Sequence, residues 1–456
     1  MKRIFTKLAS AVLFSALIST ALSSGAQSTA FASAATLNKT ADKTDLSTGG
    51  AVEAKAAHHD DPPDSTWKPQ RRLWGYAFGD EYYDAHADKG NRGAENNYVN
   101  VPTYRNAFQF RRLYLGYDYD ITKRFKAEVL LASEPTANTG VNGSTSIQNG
   151  DNLVDNHMGF FIKNFNLRYR DIWNGTDIVV GELSTPGFAL NEPGTNAPTS
   201  LSETTWGYRS VERTITDFHK NNSFDVGAAL QGTFDPKTKN FGYVIMVSNN
   251  SASGLLSAAN PNTGFYKIFY NDIWGKFFNQ HLYVDIYYHY ARTAQATALV
   301  GGQSNNMEKI FVAYVSKPIR IGVEAYTQTF VNGVTNKATG TPQNATVHGI
   351  TYWVTGPIVK NKLGFFAKTD RYNPFTDYDP TVATYTVNTN YGAYNPYYKE
   401  RFYTAGLDWT PAKNIHFMPN IWLIDYNDPR ASTTTGYVAP DHTLVYRATF
   451  FFTFGK

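Results

Sequence analysis

The stretch that decides the fold is Thr443-Leu-Val-Tyr-Arg-Ala-Thr-Phe-Phe-Phe-Thr-Phe-Gly-Lys456. Taken two residues at a time, it separates into two faces. Leu444, Tyr446, Ala448, Phe450, Phe452 and Phe454 point one way. Thr443, Arg447, Thr449 and Thr453 point the other, with Val445 and Phe451 as the exceptions. A period of two is that of a β-strand with one apolar and one mostly polar face. An apolar strand left as a bare sheet edge invites aggregation, so the stretch needs both a pairing partner and an apolar solvent.

Working outward, the same alternation recurs. Phe125, Ala127, Val129 and Leu131 oppose Lys126 and Glu128; Phe165, Leu167 and Tyr169 oppose Asn164, Asn166, Arg168 and Arg170. Leu282, Val284, Ile286, Tyr288 and Tyr290 oppose His281, Asp285 and His289, and Leu363, Phe365 and Ala367 oppose Lys368 and Asp370. Sixteen such segments run from 71–84 to 442–454. They include 264–274, 277–290, 308–316, 319–330 and 346–357. Short connections such as 120–124, 171–176, 235–240, 317–318 and 410–414 alternate with long polar ones at 85–106, 135–158, 185–223, 249–263, 291–307, 331–345, 373–400 and 427–441. Strict short–long alternation is a meander of hairpins. An even strand number with all long loops at one end predicts an all-β fold: a transmembrane antiparallel up-and-down β-barrel of about 16 strands. Long loops face outside, short turns face the periplasm, and the last strand pairs with the first near Arg71–Tyr83. Trp173, Trp274, Trp353 and Trp409, near strand ends, are expected at the lipid headgroups.

The bulk numbers agree. The 456 residues include 31 Tyr, 30 Phe and no Cys, yet the mean hydropathy is negative, as alternating strands require. Met1-Lys-Arg, Lys7 and the apolar run Leu8–Leu22, followed by small residues at Ser24-Gly-Ala26 and Ala30-Phe-Ala32, read as a signal peptide over 1–34, with cleavage between 26 and 34. Residues 35–70 read as a periplasmic linker, in which His58-His-Asp-Asp-Pro-Pro-Asp64 is a solvated stretch and no metal site. Of the 42 basic residues, Lys2, Arg3 and Lys7 fall in the leader and none of the 38 acidic ones does. The remaining near-neutral balance speaks against nucleic acid as a partner.

A chain ending in an aromatic strand resembles the assembly signal of bacterial outer-membrane proteins, with Gly455-Lys456 as a departure from it. Thr176-Asp-Ile-Val-Val-Gly-Glu-Leu-Ser-Thr-Pro-Gly-Phe, Trp206-Gly-Tyr-Arg-Ser-Val-Glu-Arg-Thr-Ile-Thr-Asp217, Asp225-Val-Gly-Ala-Ala-Leu-Gln-Gly232 and Tyr243-Val-Ile-Met-Val-Ser-Asn-Asn250 go further. With Phe110-Arg-Arg-Leu-Tyr-Leu-Gly116 they resemble the phosphate-selective porin O and P type of outer-membrane porin, most clearly over 105–250. That family often has Lys where Ser184 stands here. The resemblance implies a 16-stranded porin in the bacterial outer membrane passing small hydrophilic solutes, with anions such as phosphate favoured. It implies no cofactor. Lipid, solutes or anions, the assembly machinery and a homotrimer are the partners it allows.

The residues themselves add a place for the gate. Loop 185–223 is the longest and is expected to fold inward. There Arg209, Glu212, Arg213, Asp217 and Lys220 would form a charged constriction, arginines and carboxylates lining one helical face. By alternation Arg112, Arg168, Arg170, Arg320, Lys368 and Arg447 line the lumen wall, among the acids Glu128, Asp225, Asp285, Glu324 and Asp370. Salt-bridged wall and anion ladder both fit that mixture. No catalytic residue is expected: His281, Asp285 and His289 are spread along one strand, and neither Gly-x-Ser-x-Gly nor His-Glu-x-x-His occurs. A surface adhesin or glycan-selective barrel, using the Tyr-rich loop 373–400, is the alternative.

Overall fold

A computed structural model describes residues 67–87, 103–133, 153–154, 157–158, 160–188, 201–218, 223–249, 268–294, 302–381, 385–388, 397, 399–432 and 441–455. The chain divides into Met1–Lys68 and Pro69–Lys456, and the second unit is built on one sheet closed on itself, beside a small separate pairing of Leu153–Val154 with His157–Met158. Its strands are β1 (Arg71–His86), β2 (Asn106–Asp120), β3 (Phe125–Ser133), β4 (Phe161–Trp173), β5 (Thr176–Ser184), β6 (Phe224–Thr233), β7 (Phe241–Ser248) and β8 (Ile268–Phe277). They continue as β9 (Leu282–Ala294), β10 (Gln303–Val315), β11 (Arg320–Asn336), β12 (Pro342–Val359), β13 (Leu363–Asn373), β14 (Lys399–Ala412), β15 (Ile415–Asn427) and β16 (His442–Phe454). Each pairs antiparallel with its sequence neighbour, and β1 pairs with β16 from Gly75↔Phe454 to Tyr83↔Tyr446. The aromatic C-terminal strand therefore has its partner, and closure leaves no edge.

The barrel is inside-out relative to a water-soluble protein. Phe110, Phe165, Leu167, Ile286, Ile310, Tyr352, Leu407, Phe417, Tyr446 and Phe452 are exposed on its outer face. Asp118, Lys126, Glu128, Arg168, Asp225, Asp285, Glu324, Lys368, Asp370 and Arg447 are buried within. An apolar belt around a polar interior is what a closed sheet shows when its outer solvent is hydrocarbon. Several described short turns carry a residue that tolerates positive φ: Gly175 (φ 84°), Asn279 (φ 56°), Asn361 (φ 58°) and Asn414 (φ 66°).

Several sequence expectations need correction. The turn placed near 275–276 lies at 278–281, so β8 and β9 shift along the chain. The expected long loop 331–345 is mostly strand, because β11 and β12 run on to a turn at 337–341. Its Thr, Val and Asn content suits a hairpin that the polar composition hid. The short strand Tyr385–Val387 adds to that extension of β11 through Val334↔Val387 and Asn336↔Tyr385. Trp173 and Trp409 are exposed, as headgroup anchors would be, but Trp274 and Trp353 are buried. Their parity turns them inward, where they meet a segment described next.

Candidate functional site

The inner wall is sorted by charge. Glu182, Asp225, Asp272, Asp285 and Glu324, from β5, β6, β8, β9 and β11, are buried on one side. Arg111, Arg112, Lys126 and Arg168 come from β2–β4, and Lys368 and Arg447 from β13 and β16. Lys309 stands among the acids, 3.9 Å from Asp285 and 3.7 Å from Glu324. Asp80, Asp84, Asp118, Asp120, Glu128 and Asp370 are buried among the bases, so the sorting on that side is partial.

Between these walls runs the segment that follows β5. It contains a 3-10 turn at Pro186–Phe188 and two short helices, α1 (Leu201–Trp206) and α2 (Ile215–Phe218). Hydroxyls of Thr204 and Thr205 donate back to the Leu201 carbonyl, at 3.1 and 2.5 Å. Gly207, at φ 76°, ends α1, and its amide donates to the Glu203 carbonyl at 3.0 Å. A left-handed glycine is the usual helix stop. Beyond it, the amides of Val211 and Glu212 both donate to the Tyr208 carbonyl, so 208–212 is a turn. The helical face expected for Arg209 and Arg213 is not formed, since Gly207 interrupts the helix before it reaches them.

Apolar contact anchors the segment first. Leu201, Trp206 and Val211 pack with Trp274, Phe311, Trp353, Phe366 and Met418 from five strands. The Trp206 ring lies 5.8 Å from Trp353 and 6.2 Å from Phe366, and its Nε1 donates to the Glu212 carbonyl at 2.8 Å. Burying rings of this size on a polar-lined wall is worth about 2 kcal/mol each.

Charge then fixes the main chain. On the acidic side, Asp285 accepts from the Leu201 amide at 2.6 Å. Glu324 accepts from the amide and hydroxyl of Thr216 at 3.2 and 2.5 Å. On the basic side, Lys368 donates to the Arg213 carbonyl and Arg111 to the Ser210 carbonyl. Arg447 donates to the Val211 carbonyl at 2.9 Å. Lys309 donates to the Gly187 carbonyl at 2.5 Å. Charge-assisted hydrogen bonds of this kind are about twice as strong as neutral ones.

Comparison with known proteins follows from this geometry. No family model and no curated protein sequence matches the chain. Solved structures do. The outer-membrane channel DcaP of Acinetobacter baumannii superposes with a TM-score of 0.53 at 10% identity, over 85% of this chain and 97% of that one. An anion-selective porin from Comamonas acidovorans gives 0.51 at 11% identity, over 85% and 100%. Salmonella typhi OmpF, in complex with daunomycin, gives 0.50 at 13%, over 84% and 97%. The chain has the porin fold.

Within that fold the expected site residues fare unequally. Arg209 lies 3.7 Å from Glu203, and Arg213 3.8 Å from Glu212, whose carboxylate also accepts the Arg213 amide at 2.7 Å. Arg209, Glu212 and Arg213 are thus brought onto one inward-packed turn. Asp217 ends in α2 with its side chain outside the described residues, as is all of Lys220. Every wall cation named from alternation has a protein partner. Arg112 donates to the Tyr114 hydroxyl at 2.8 Å, and Arg170 meets Asp120 at 2.5 Å. Arg168 meets Asp177, Gln231 and Glu128 at 3.1, 3.1 and 3.4 Å. Arg447 holds Asn420 at 2.9 Å, and Lys368 holds Asp370 at 2.9 Å. Arg320 holds Thr355 at 3.1 Å, beside a cavity of about 300 Å³ that Tyr208 and Asp408 also line.

Sequence reasoning missed Arg111, Lys309 and Glu203. Arg111 turns inward because a bulge on β2 shifts the register between Phe78↔Arg112 and Gly79↔Phe110. Its guanidinium then lies 2.6 Å from Asp80. The signal was present, because two adjacent arginines on one strand force one toward lipid unless a bulge intervenes. The barrel-enzyme candidates are not assembled: His289 is buried against Tyr287 and Asn305, while His281 bonds the Val315 carbonyl at a turn. Of the Tyr-rich loop, Tyr378, Tyr385 and Tyr397 pack on one another, with Arg430 3.9 Å above the Tyr397 ring. Tyr391, Tyr394 and Tyr398 lie outside the described residues.

Proposed function

We propose that the protein is a bacterial outer-membrane porin, exported by a cleaved leader, that passes small hydrophilic solutes by passive diffusion and has no enzymatic activity. The observation that carries this reading is the inside-out barrel holding a folded-in segment between walls of opposite charge. Its constriction is the turn bearing Arg209, Glu212 and Arg213, with Asp217 and Lys220 following. A solute there crosses a field directed from the basic to the acidic wall, which favours small, dipolar or charged molecules.

Anion preference, phosphate included, rests on Arg209 and Arg213. Their side chains keep 13% and 16% of their surface exposed, against 0% for Lys368 and Arg447 and 3% for Arg168. Buried wall cations spend their charge on the segment and on neighbouring carboxylates. A homotrimer would place three such channels side by side. The glycan-selective reading weakens because the described tyrosines of its loop contact each other.

Planar-bilayer recording tests the proposal. Discrete conductance steps with an anion-favouring reversal potential under a salt gradient are expected. Folded, inserted protein that carries no current would overturn it.

A further inference from the structure

At the long-loop end of the barrel seam, β1 finishes on His86 and β16 begins on His442, with Asp441 just before it. The seam register slips between Asp84↔Val445 and His86↔Leu444, and this irregularity re-aims His86 toward the start of β16. The two imidazoles lie parallel, centroids 4.1 Å apart and planes 14° from each other. His86 Nε2 is 2.6 Å from one oxygen of Asp441, and His442 Nδ1 is 2.7 Å from the other. The donor atoms of all three residues lie within 4.8 Å of one another.

We infer that His86, Asp441 and His442 form a binding site for a divalent late-transition-metal ion, zinc being the reference case, that staples the first barrel strand to the last. Each imidazole presents one nitrogen to the same carboxylate, so the three side chains already converge as a single metal ion would need. Two imidazole nitrogens and one carboxylate oxygen are a zinc donor set, leaving a fourth position for water. Bonds of about 2.0–2.2 Å require the three donors only to close around a shared point. All three side chains are partly exposed, so an ion reaches them from the aqueous side. The sequence could not announce the site, because its halves are separated by almost the whole barrel and meet only on closure.

The consequence is mechanical. An ion bound to the closed barrel alone stabilises that state by mass action. It acts at the strand pair that joins the two ends of the sheet.

The test uses the untagged exported protein, folded in detergent, with His58→Ala and His59→Ala removing the linker imidazoles. Zinc chloride is titrated calorimetrically, and thermal unfolding is followed with and without zinc. One zinc per chain and a raised unfolding midpoint are expected. His86→Ala and His442→Ala should each weaken binding at least about tenfold and abolish the thermal shift. Asp441→Asn, which keeps size and one acceptor oxygen, should weaken it too and guards against a histidine variant that fails to fold. The absence of saturable binding at millimolar zinc, or affinity unchanged in the single variants, overturns the proposal.

Discussion

The two sides of the barrel interior grip the same inward segment by opposite chemistry. The acidic side, through Asp285 and Glu324, accepts hydrogen bonds from amides and a hydroxyl at the two ends of the helical region. The basic side, through Arg111, Arg447 and Lys368, donates to three carbonyls in the turn between Ser210 and Arg213. The difference teaches that wall charge here is matched to main-chain polarity before it is offered to any solute. Buried backbone groups must be satisfied, and in this lumen ionised side chains do it. The sequence left a salt-bridged wall and an anion ladder both open for the wall cations, and each of them has a protein partner in the structure.

The largest test of that contrast removes its object. Replacing residues 201–218 by a short Gly-Ser linker should raise single-channel conductance by roughly threefold or more, because the lumen loses its packed centre. It also strands Lys368, Arg447, Asp285 and Glu324 with fewer partners, so the thermal midpoint should fall. Unchanged conductance would mean that the segment lies off the permeation path.

Next in size are single changes on either side. Lys368→Met leaves Asp370 and the Arg213 carbonyl without their cation and should cost about 3 kcal/mol in thermal or denaturant unfolding. Glu324→Gln keeps an acceptor for Thr216 and loses its ion pair with Lys309, which still has Asp285, so a smaller loss of about 1–2 kcal/mol is expected. Equal losses would refute the idea that the two sides work differently.

How much of this was legible follows from what period two encodes. Alternation reads Arg168, Lys368, Asp370 and Arg447 as inward-facing from local information alone, and all four are buried. It does not record bulges, which turned Arg111 inward, nor parity at strand ends, which hid Trp274 and Trp353. That Trp274 and Trp353 would meet Trp206 is a long-range packing fact that no local period contains. The extended β11–β12 hairpin was obscured because Thr, Asn and Gly serve both strands and loops. Within the segment, the i, i+4 spacing of Arg209 and Arg213 suggested a helix, and Gly207 should have been read as its stop.

A smaller effect separates committed from exposed cations. Neutralising the partly exposed pair, Arg209→Gln with Arg213→Gln, should move the reversal potential toward cations by a few millivolts under a tenfold salt gradient, with some loss of stability as Glu203 and Glu212 lose their ion partners. Arg168→Gln, made on a buried cation paired with Glu128 and Asp177, should instead lower the unfolding midpoint and leave the reversal potential nearly unmoved. If Arg168→Gln shifts selectivity more, wall charge reaches the solute after all.

The smallest effect lies outside the membrane. Burial among Tyr385 and Tyr397 lifts the Tyr378 hydroxyl to about 12, against the lowering influence of Arg430 and with smaller raising contributions from Asp428 and the two neighbouring tyrosines. A group whose folded value is raised holds its proton longer in the folded loop, so its contribution is complete below its ordinary value near 10. That contribution is lost as pH rises from 10 toward 12. Loop opening, read by limited proteolysis or tyrosine absorbance, should therefore grow across that window while the barrel persists. Tyr378→Phe removes the ionisable group and should flatten the pH dependence. A profile of the same steepness in Tyr378→Phe would assign the transition to another group.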